Sequence, residues 1–315
     1  MVQSKESRIF ENEHHGFCSN CGRKIVDDEI VHVGYDYEGN HTAVCEACKS
    51  LVQTLILKRV HKDRLYTVPE RATRLWKFMD ISKFLSLIQR NELYFRRADC
   101  FDDPYEGAKG IKKNETIWDE AYKEYLKELV KSTKKFTGKE IPDEEAQEQS
   151  LKLLNQLKEN GKSWRSKSFV CCWHANEFES EAMWNLYTND SKQGIAIQTT
   201  YNNLYLALDK DPDIYTGYVN YIDFSKQFAS INDTLFYKRY SFAHEREVRS
   251  VTHEFSNQDS STGIYKPVNL AYLIENIYVS PTSQSWFYDV VKNIVEIYGL
   301  KKPVLQSTLN EEPFY

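Results

Sequence analysis

The sequence predicts an α+β protein: a mixed-sheet domain with an inserted helical hairpin, preceded by a small zinc-ribbon or treble-clef-like module. Three observations predict it. Two C-x-x-C pairs, Cys18/Cys21 and Cys45/Cys48, precede every other signal. Beyond residue 66, several short β-branched and aromatic runs read as strands, with too few crossover helices for a doubly wound sheet. Between residues 112 and 162, two long amphipathic stretches interrupt that pattern.

Each element can be justified in order. A C-x-x-C turn places two thiolates on one side of a tight knuckle. Two knuckles complete a four-sulfur tetrahedral shell with no open position, so the expected zinc is structural. The 23 residues between the pairs hold strand-like runs at 30–33 and 42–44, joined by a turn at Glu38-Gly39-Asn40. Gly22 relieves the first knuckle, and Leu51, Leu55 and Leu57 mark a helix after the second. His14 and His15 are further metal-type ligands, although the four thiolates suffice. Residues 58–77 carry Lys58, Arg59, Lys62, Arg64, Arg71, Arg74 and Lys77 against only Asp63 and Glu70. That stretch reads as a phosphate-facing patch for nucleic acid or a nucleotide, or as a solvated linker face. The expected division is a zinc-binding module with its following basic helix over 1–66, and an α+β domain over 67–315.

In the second region, Trp76-Lys77-Phe78 opens an ordered segment, 81–89 has helical spacing, and Leu93-Tyr94-Phe95 reads as a strand. Trp118, Tyr122, Tyr125, Leu126, Leu129 and Val130 recur at offsets of three or four and predict a helix over 114–131. A second helix starts at Ile141-Pro142-Asp143, where acidic residues suit a helix N-terminus, and stops near Gly161. Strands are expected at 169–173, 194–199, 214–222, 247–251 and 274–279, with 236–243 leading into the fourth. Short and closing helices are expected at 181–187 and 286–298.

Composition narrows the function. With 41 basic and 46 acidic residues among 315, the net charge is −5, which argues against a wholesale nucleic-acid coat. No apolar run reaches the roughly 18–20 residues of a membrane span, and residues 1–15 lack the apolar stretch of a signal peptide. The expected location is the cytoplasm, with no membrane partner; seven cysteines, an odd number, fit reduced thiols. Walker, G-x-G-x-x-G, H-E-x-x-H and G-x-S-x-G motifs are all absent. Cys171 and Cys172, with His174 nearby, read as strand residues rather than activated nucleophiles.

The remaining candidates are charged. On a strand, residues i and i+2 share a face, so Glu245, Glu247 and Arg249 are expected to project together while Val248 faces away. Asp103, ahead of Pro104, either sets a turn or joins Glu106 in adding carboxylates to the same cleft. Together with Lys238, these groups also suit a metal-dependent nuclease. Trp184 and Tyr187 share a helix face and read as packing or as a platform for a base.

Four segments in order resemble an uncharacterised bacterial family, domain-of-unknown-function 2971. They are Leu75-Trp76-Lys77-Phe78 with the helix to Leu93-Tyr94-Phe95; Phe101-Asp102-Asp103-Pro104-Tyr105-Glu106; Cys172-Trp173 with Met183-Trp184-Asn185-Leu186-Tyr187 and Gly194-Ile195-Ala196-Ile197; and Lys238 with Glu245-Arg246-Glu247-Val248-Arg249. The set spans about residues 72–300 and departs from the family at Asp102, where Asn is common, and at His244, where an aromatic is common. The family name implies no activity.

A second resemblance is one of layout and a single short motif. The E-x-E segment is similar to the last motif of ADP-ribosyltransferases, in which one Glu holds the nicotinamide ribose hydroxyl and stabilises an oxocarbenium-like transition state. Those enzymes open with a strand bearing a cationic or polar residue, then a helix, then a second strand. The resemblance implies an enzyme acting on NAD and a macromolecular target. In it Glu247 is the key carboxylate, Glu245 its support, Arg249 their neighbour, and Arg74 or Lys77 a ligand for phosphate or ribose. The zinc module and the stretch 58–77 would recognise a nucleic-acid or protein target, and a bacterial toxin or phage-defence effector is the setting this chemistry suggests. The alternatives are a metal-dependent nuclease and a non-enzymatic binding module.

Overall fold

The computed structural model describes residues 18, 21–23, 31–35, 41–51, 54–55, 66–133, 138, 140–188, 193–209, 211, 213–230, 233–255 and 261–315. His14, His15, the turn at 38–40, Leu57 and the basic residues of 58–65 lie outside the described residues.

The chain is α+β, as its sequence predicts. In the N-terminal part, β1 (Val31–Tyr35) pairs antiparallel with β2 (His41–Cys45) and with β3 (Thr54–Leu55). A 3-10 turn over Glu46–Leu51 follows β2. Leu55 therefore belongs to a strand and not to the expected helix. Gly34 and Tyr35 pair with Leu55 and Thr54, so cross-strand bonding captures a segment whose apolar spacing alone suggests helix.

The strand–helix–strand opening of the larger region is present. β4 (Arg74–Asp80) runs into α1 (Ile81–Arg90), which returns through β5 (Glu92–Arg97). The Asp80 side chain caps α1 by accepting the Lys83 N–H at 2.9 Å. Asn91, at φ 54°, ends the helix in the left-handed region, where Asn is tolerated. Phe84, Leu87 and Ile88 recur at helical spacing and form the buried face.

Two helices make up the insertion. α2 (Glu115–Ser132) and α3 (Asp143–Ser166) pack through Trp118, Leu126 and Leu154, and Lys127 and Lys131 both pair with Asp143 near the start of α3. α3 continues past Gly161, where the sequence suggests a stop. A Cβ at Gly161 would lie 3.3 Å from the Lys109 ammonium, which donates to the Leu157 carbonyl at 3.1 Å. The glycine thus makes room for a lysine while the helical ladder runs on.

Six strands and two helices build most of the rest: β6 (Ser168–Ala175), α4 (Glu181–Thr188), β7 (Gly194–Thr200), α5 (Tyr201–Ala207), β8 (Tyr215–Tyr218), β9 (Asn220–Ile222), β10 (Tyr237–Arg239) and β11 (Glu247–His253). β12 (Gly263–Pro267), α6 (Leu270–Leu273), β13 (Asn276–Val279), α7 (Ser285–Ile297) and β14 (Val304–Gln306) complete it. The single strand expected over 214–222 is two. Val219, between them, gives its N–H to the Glu247 carbonyl at 2.9 Å, and β9 then leaves to pair in parallel with β10.

The main sheet has nine strands and divides at β6. One edge of β6 is covered by β11, which also pairs with β8. The other edge is shared: β4 takes its C-terminal end, through Trp76 opposite His174, and β5 takes its N-terminal end, through Arg97 opposite Phe169. From β4 the sheet continues through β7, β13 and β14; from β5 it continues to β12. Leu75, Met79, Phe84, Trp173, Ile197, Val248 and Ile277 belong to the largest apolar cluster, into which α1 packs. Trp76, Phe78, Met183, Trp184 and Ala196 form a separate cluster under α4. Burying side chains of this size contributes on the order of 1.5–3 kcal/mol each. At Gly217, in β8, the Tyr66 ring stands 2.1 Å from the position a Cβ would occupy, so only glycine permits that approach. Among the described residues, no helix is long and apolar enough to cross a membrane.

Candidate functional site

Strand register builds the site. Glu247 lies opposite His174, and Arg249 opposite Cys172, so these four side chains share one face of the sheet. Trp76 lies opposite the same His174. Alternation along β4 therefore puts Arg74 on this face and Lys77 on the other. The Lys77 ammonium donates to the Cys172 carbonyl at 3.0 Å and to the Cys171 sulfur at 3.3 Å, above the Trp173 ring at 5.2 Å. Lys77 and Glu247 are thus on separate faces, while Glu106 and Glu247 come together.

Arg249 is what they come together on. Its side chain is fully buried. The Glu106 carboxylate accepts its Nη1–H and Nη2–H in a bidentate pair at 2.7 and 2.8 Å. Glu247 accepts Nε–H at 2.9 Å and Nη2–H at 3.1 Å. The Leu235 carbonyl takes the remaining Nη1–H at 2.6 Å. All guanidinium donors are satisfied, which is the condition for burying that charge.

Lys238 joins the same group. Its ammonium donates to Glu245 and to Glu247 Oε2 at 3.3 Å, and lies 3.7 Å from Glu106. Three carboxyl groups thus meet two cations. Burial alone would raise the Glu247 pKa, but Arg249 and Lys238 overcome it and hold that carboxyl down at about 2. Glu245 goes the other way: burial raises it, the negative charge of Glu247 adds to this, and Lys238 only partly offsets them. Burial opposes the charge on Lys238, yet Glu247 and Glu245 raise its pKa on balance.

Glu245 reaches the cluster by a route different from the expected one. It ends a 3-10 turn over Tyr240–Glu245, and Arg246, at φ 40° and ψ 52°, separates it from β11. Glu245 and Glu247 therefore do not alternate on one strand; they converge because both reach Lys238.

The neighbouring groups are held neutral. Burial and the Glu247 charge raise the Cys172 thiol well above its usual range, which opposes thiolate formation. His174 Nδ1–H donates to the Glu245 carbonyl at 2.6 Å, and burial pushes the ring's pKa down. The Tyr221 hydroxyl accepts the Glu247 N–H at 2.8 Å, and burial raises its pKa.

The other candidates sort by contact. Asp103 accepts the Tyr105 N–H at 3.0 Å, a turn-setting bond, and pairs with Arg239 at 2.9 Å. Trp184 is buried, donates to Glu179 at 3.0 Å and meets Phe78 edge-on at 4.9 Å, so it packs. Tyr187 is 42% exposed. Its phenol pKa is raised, by burial first and then by the negative charges of Glu247 and Glu245. The Arg74 guanidinium lies 3.8 Å from Glu177 and 3.6 Å from Glu275.

An open groove of about 510 Å³ runs along the ends of β4, β6, β8 and β11. Thr73, Asn176, Glu177, Tyr221, Arg246 and Glu247 are among its lining residues. Tyr221 and Arg246 have no sequence signature: one is an aromatic in a loop-flanking strand, the other the unremarked middle residue of E-x-E.

The second constellation is the cysteine cluster. The sulfur atoms of Cys18, Cys21, Cys45 and Cys48 all lie within 4.8 Å of one another, and Cys21 and Cys45 are 3.8 Å apart. Sulfurs on a tetrahedral zinc at about 2.3 Å are separated by about 3.8 Å, so this donor set fits such an ion. The first knuckle is formed: Cys18 N–H donates to the Arg23 carbonyl at 2.8 Å, Gly22 N–H donates to the Cys18 carbonyl at 2.9 Å, and Gly22 takes φ +68°. These four cysteines can hold a metal ion.

Comparison of the chain with known protein families and with curated proteins found no match in either.

Replacing Arg249 by Met is expected to destabilise the protein by about 3–5 kcal/mol, because Glu106 and Glu247 are left buried with Lys238 as the one remaining cation of the cluster. Adding Glu106→Leu and Glu247→Leu to that variant is expected to restore much of the loss. Urea unfolding at neutral pH measures both. A loss below about 1 kcal/mol in Arg249→Met contradicts the hub described here.

Proposed function

We propose that the chain is an enzyme of N-glycosidic bond chemistry that acts on NAD, transferring ADP-ribose to a macromolecule or cleaving the dinucleotide. The observation that carries this reading is that Glu247, which lines the groove, and Glu245 meet on Lys238 with opposed poise. Two carboxyls whose surroundings push their affinities for protons apart divide the roles of a catalytic pair.

The chemistry follows from the charges. Breaking the bond between nicotinamide nitrogen and ribose sends the electron pair to nicotinamide and leaves positive charge on the sugar. Glu247, fixed in its ionised form at the groove wall, stabilises that charge through its field while keeping its bonds to Arg249 and Lys238. An acceptor oxygen then bonds to the sugar carbon and must lose its proton. Glu245, whose carboxylate holds a proton more tightly than an ordinary one, is suited to take it. The β4–α1–β5 layout, with Arg74 on the same face as Glu247, fits the resemblance to ADP-ribosyltransferases.

The nuclease reading is weaker for a specific reason. Glu106 and Glu247 spend their oxygens on Arg249 and Lys238, and a divalent cation would have to displace a buried guanidinium to reach them. Among the described residues, the group suited to a metal ion is the cysteine cluster. We assign that ion as structural zinc, and the module as the part that docks a nucleic-acid or protein target through the basic stretch after it.

Incubation with NAD is expected to release nicotinamide without added Mg²⁺, and Glu247→Gln is expected to slow release by about a hundredfold or more. Absence of both NAD binding and release, with DNA, RNA and protein acceptors present, contradicts the reading. Cleavage of nucleic acid that requires Mg²⁺ and Glu247 supports the nuclease instead.

For the cysteine cluster, elemental analysis of the full chain is expected to find close to one zinc per molecule. Cys45→Ser is expected to release it and unfold the N-terminal module, since the ion's binding energy is that module's folding energy. Limited proteolysis is expected to leave the region beyond residue 66 intact; digestion of the whole chain upon metal loss contradicts the division.

A further inference from the structure

Arg246 stands apart from the other cations around the groove. The Arg74 guanidinium lies near Glu177 and Glu275, Lys77 is turned into the opposite face, and Lys238 and Arg249 are enclosed by carboxylates. Arg246 lines the groove and is exposed. Its side chain donates to the neutral Asn176 Oδ1 at 3.1 Å, and among the described residues it has no carboxylate partner. Of the two carboxylates that line the groove, Glu177 is countered by Arg74 at 3.8 Å and Glu247 by Arg249 and Lys238. Glu245, next in sequence, is drawn onto Lys238.

Its backbone adds a second observation. Arg246 takes φ 40° and ψ 52°, a left-handed conformation that glycine or asparagine adopts with less strain. That conformation is pinned from both sides: the Arg246 carbonyl accepts the Ala175 N–H at 2.9 Å, and its own N–H donates to the Ala243 carbonyl at 3.3 Å. A strained residue held by its surroundings at a groove wall is the kind of position where function retains strain. The guanidinium is placed in advance, with donors free to turn to an anion. Glu247, in the same wall, is the adjoining residue.

We propose that Arg246 is an anion-binding residue of the groove, holding a phosphoryl group of a small nucleotide whose sugar lies toward Glu247. The placement of the sugar rests on the glycosidic reading above; the phosphoryl site does not. A guanidinium suits this role because its planar donors match phosphate oxygens in pairs. The groove's size, about 510 Å³, suits a small ligand better than a nucleic-acid strand.

Isothermal titration of the full chain with ADP-ribose, inorganic pyrophosphate and adenosine tests this. The wild type is expected to bind ADP-ribose and pyrophosphate, more weakly as salt rises. Arg246→Gln and Arg246→Gly are each expected to lose about tenfold or more in affinity for both, the size of one charge-assisted bond. Adenosine binding is expected to be the same in all three proteins. Arg246→Gly, freed of backbone strain, is expected to unfold at no lower a temperature than the wild type, which separates loss of charge from loss of fold. Unchanged affinity for the phosphate-bearing probes in both variants overturns the proposal, as does no binding of either probe to the wild type. An equal loss for adenosine also overturns it, because that shows a collapsed groove. Tighter binding of a short single-stranded oligonucleotide than of ADP-ribose, lost in Arg246→Gln, overturns the small-nucleotide assignment. Arg246-dependent pyrophosphate binding without nicotinamide release leaves the phosphoryl site standing and removes the glycosidic reading.

Discussion

A buried guanidinium organises this structure. Arg249 lies in β11, yet its partners come from the loop after β5, from the segment before β10 and from its own strand. Removing such a charge from water costs several kcal/mol before any partner is counted. The cost is met only because each N–H has an acceptor, and two of those acceptors are carboxylates that would themselves be intolerable in that place alone. Once Arg249 is fixed, Glu106 must turn inward, β10 must bring Lys238 alongside, and the segment ahead of β11 must bend. The left-handed Arg246 is how it bends.

That geometry also determines what the cluster does chemically. In water, two glutamate carboxyls beside a lysine would titrate together near the ordinary carboxyl range. Here Glu247 sits between Arg249 and Lys238 and is held down at about 2, while Glu245 shares only Lys238, is buried, and faces the charge of Glu247. The two groups carry opposite signs in the pH dependence of stability. The contribution of Glu247 is present above the ordinary range near 4.5 and is lost as pH falls toward 2. That of Glu245 is present at low pH and lost as pH rises through its elevated value. The atoms that staple the fold are therefore the same ones that drive the proton affinities of these two carboxyls apart.

What could be read from the sequence was local. The two knuckles follow from C-x-x-C spacing, and their sulfurs converge. The helices α1, α2 and α7 follow from apolar periodicity, and the strand–helix–strand opening from Trp76, the 81–89 helix and Phe95. What could not be read depends on distant contacts. Arg249 and Glu106 are 143 positions apart, and nothing near either residue announces the other. The alternation argument placed Glu245 beside Glu247 for a reason that does not apply, since Arg246 breaks the strand between them; their convergence needed Lys238. Leu55 reads as helical by spacing until Gly34 offers it a strand partner. Lys77, attractive as a cation on β4, is on the wrong face, and only the register with β6 shows that Arg74 takes the other side.

The central claim is that Glu245 and Glu247, on one lysine, have their affinities for protons pushed in opposite directions. Carbon-detected NMR of protein labelled at the glutamate carboxyl carbons, with Glu245→Gln and Glu247→Gln used to assign the two signals, measures this directly as pH is lowered. The account predicts that the Glu245 signal shifts above pH 4.5 and that the Glu247 signal stays ionised until pH is close to 2. Two signals that titrate together near 4.5, or Glu247 taking its proton first, would contradict it.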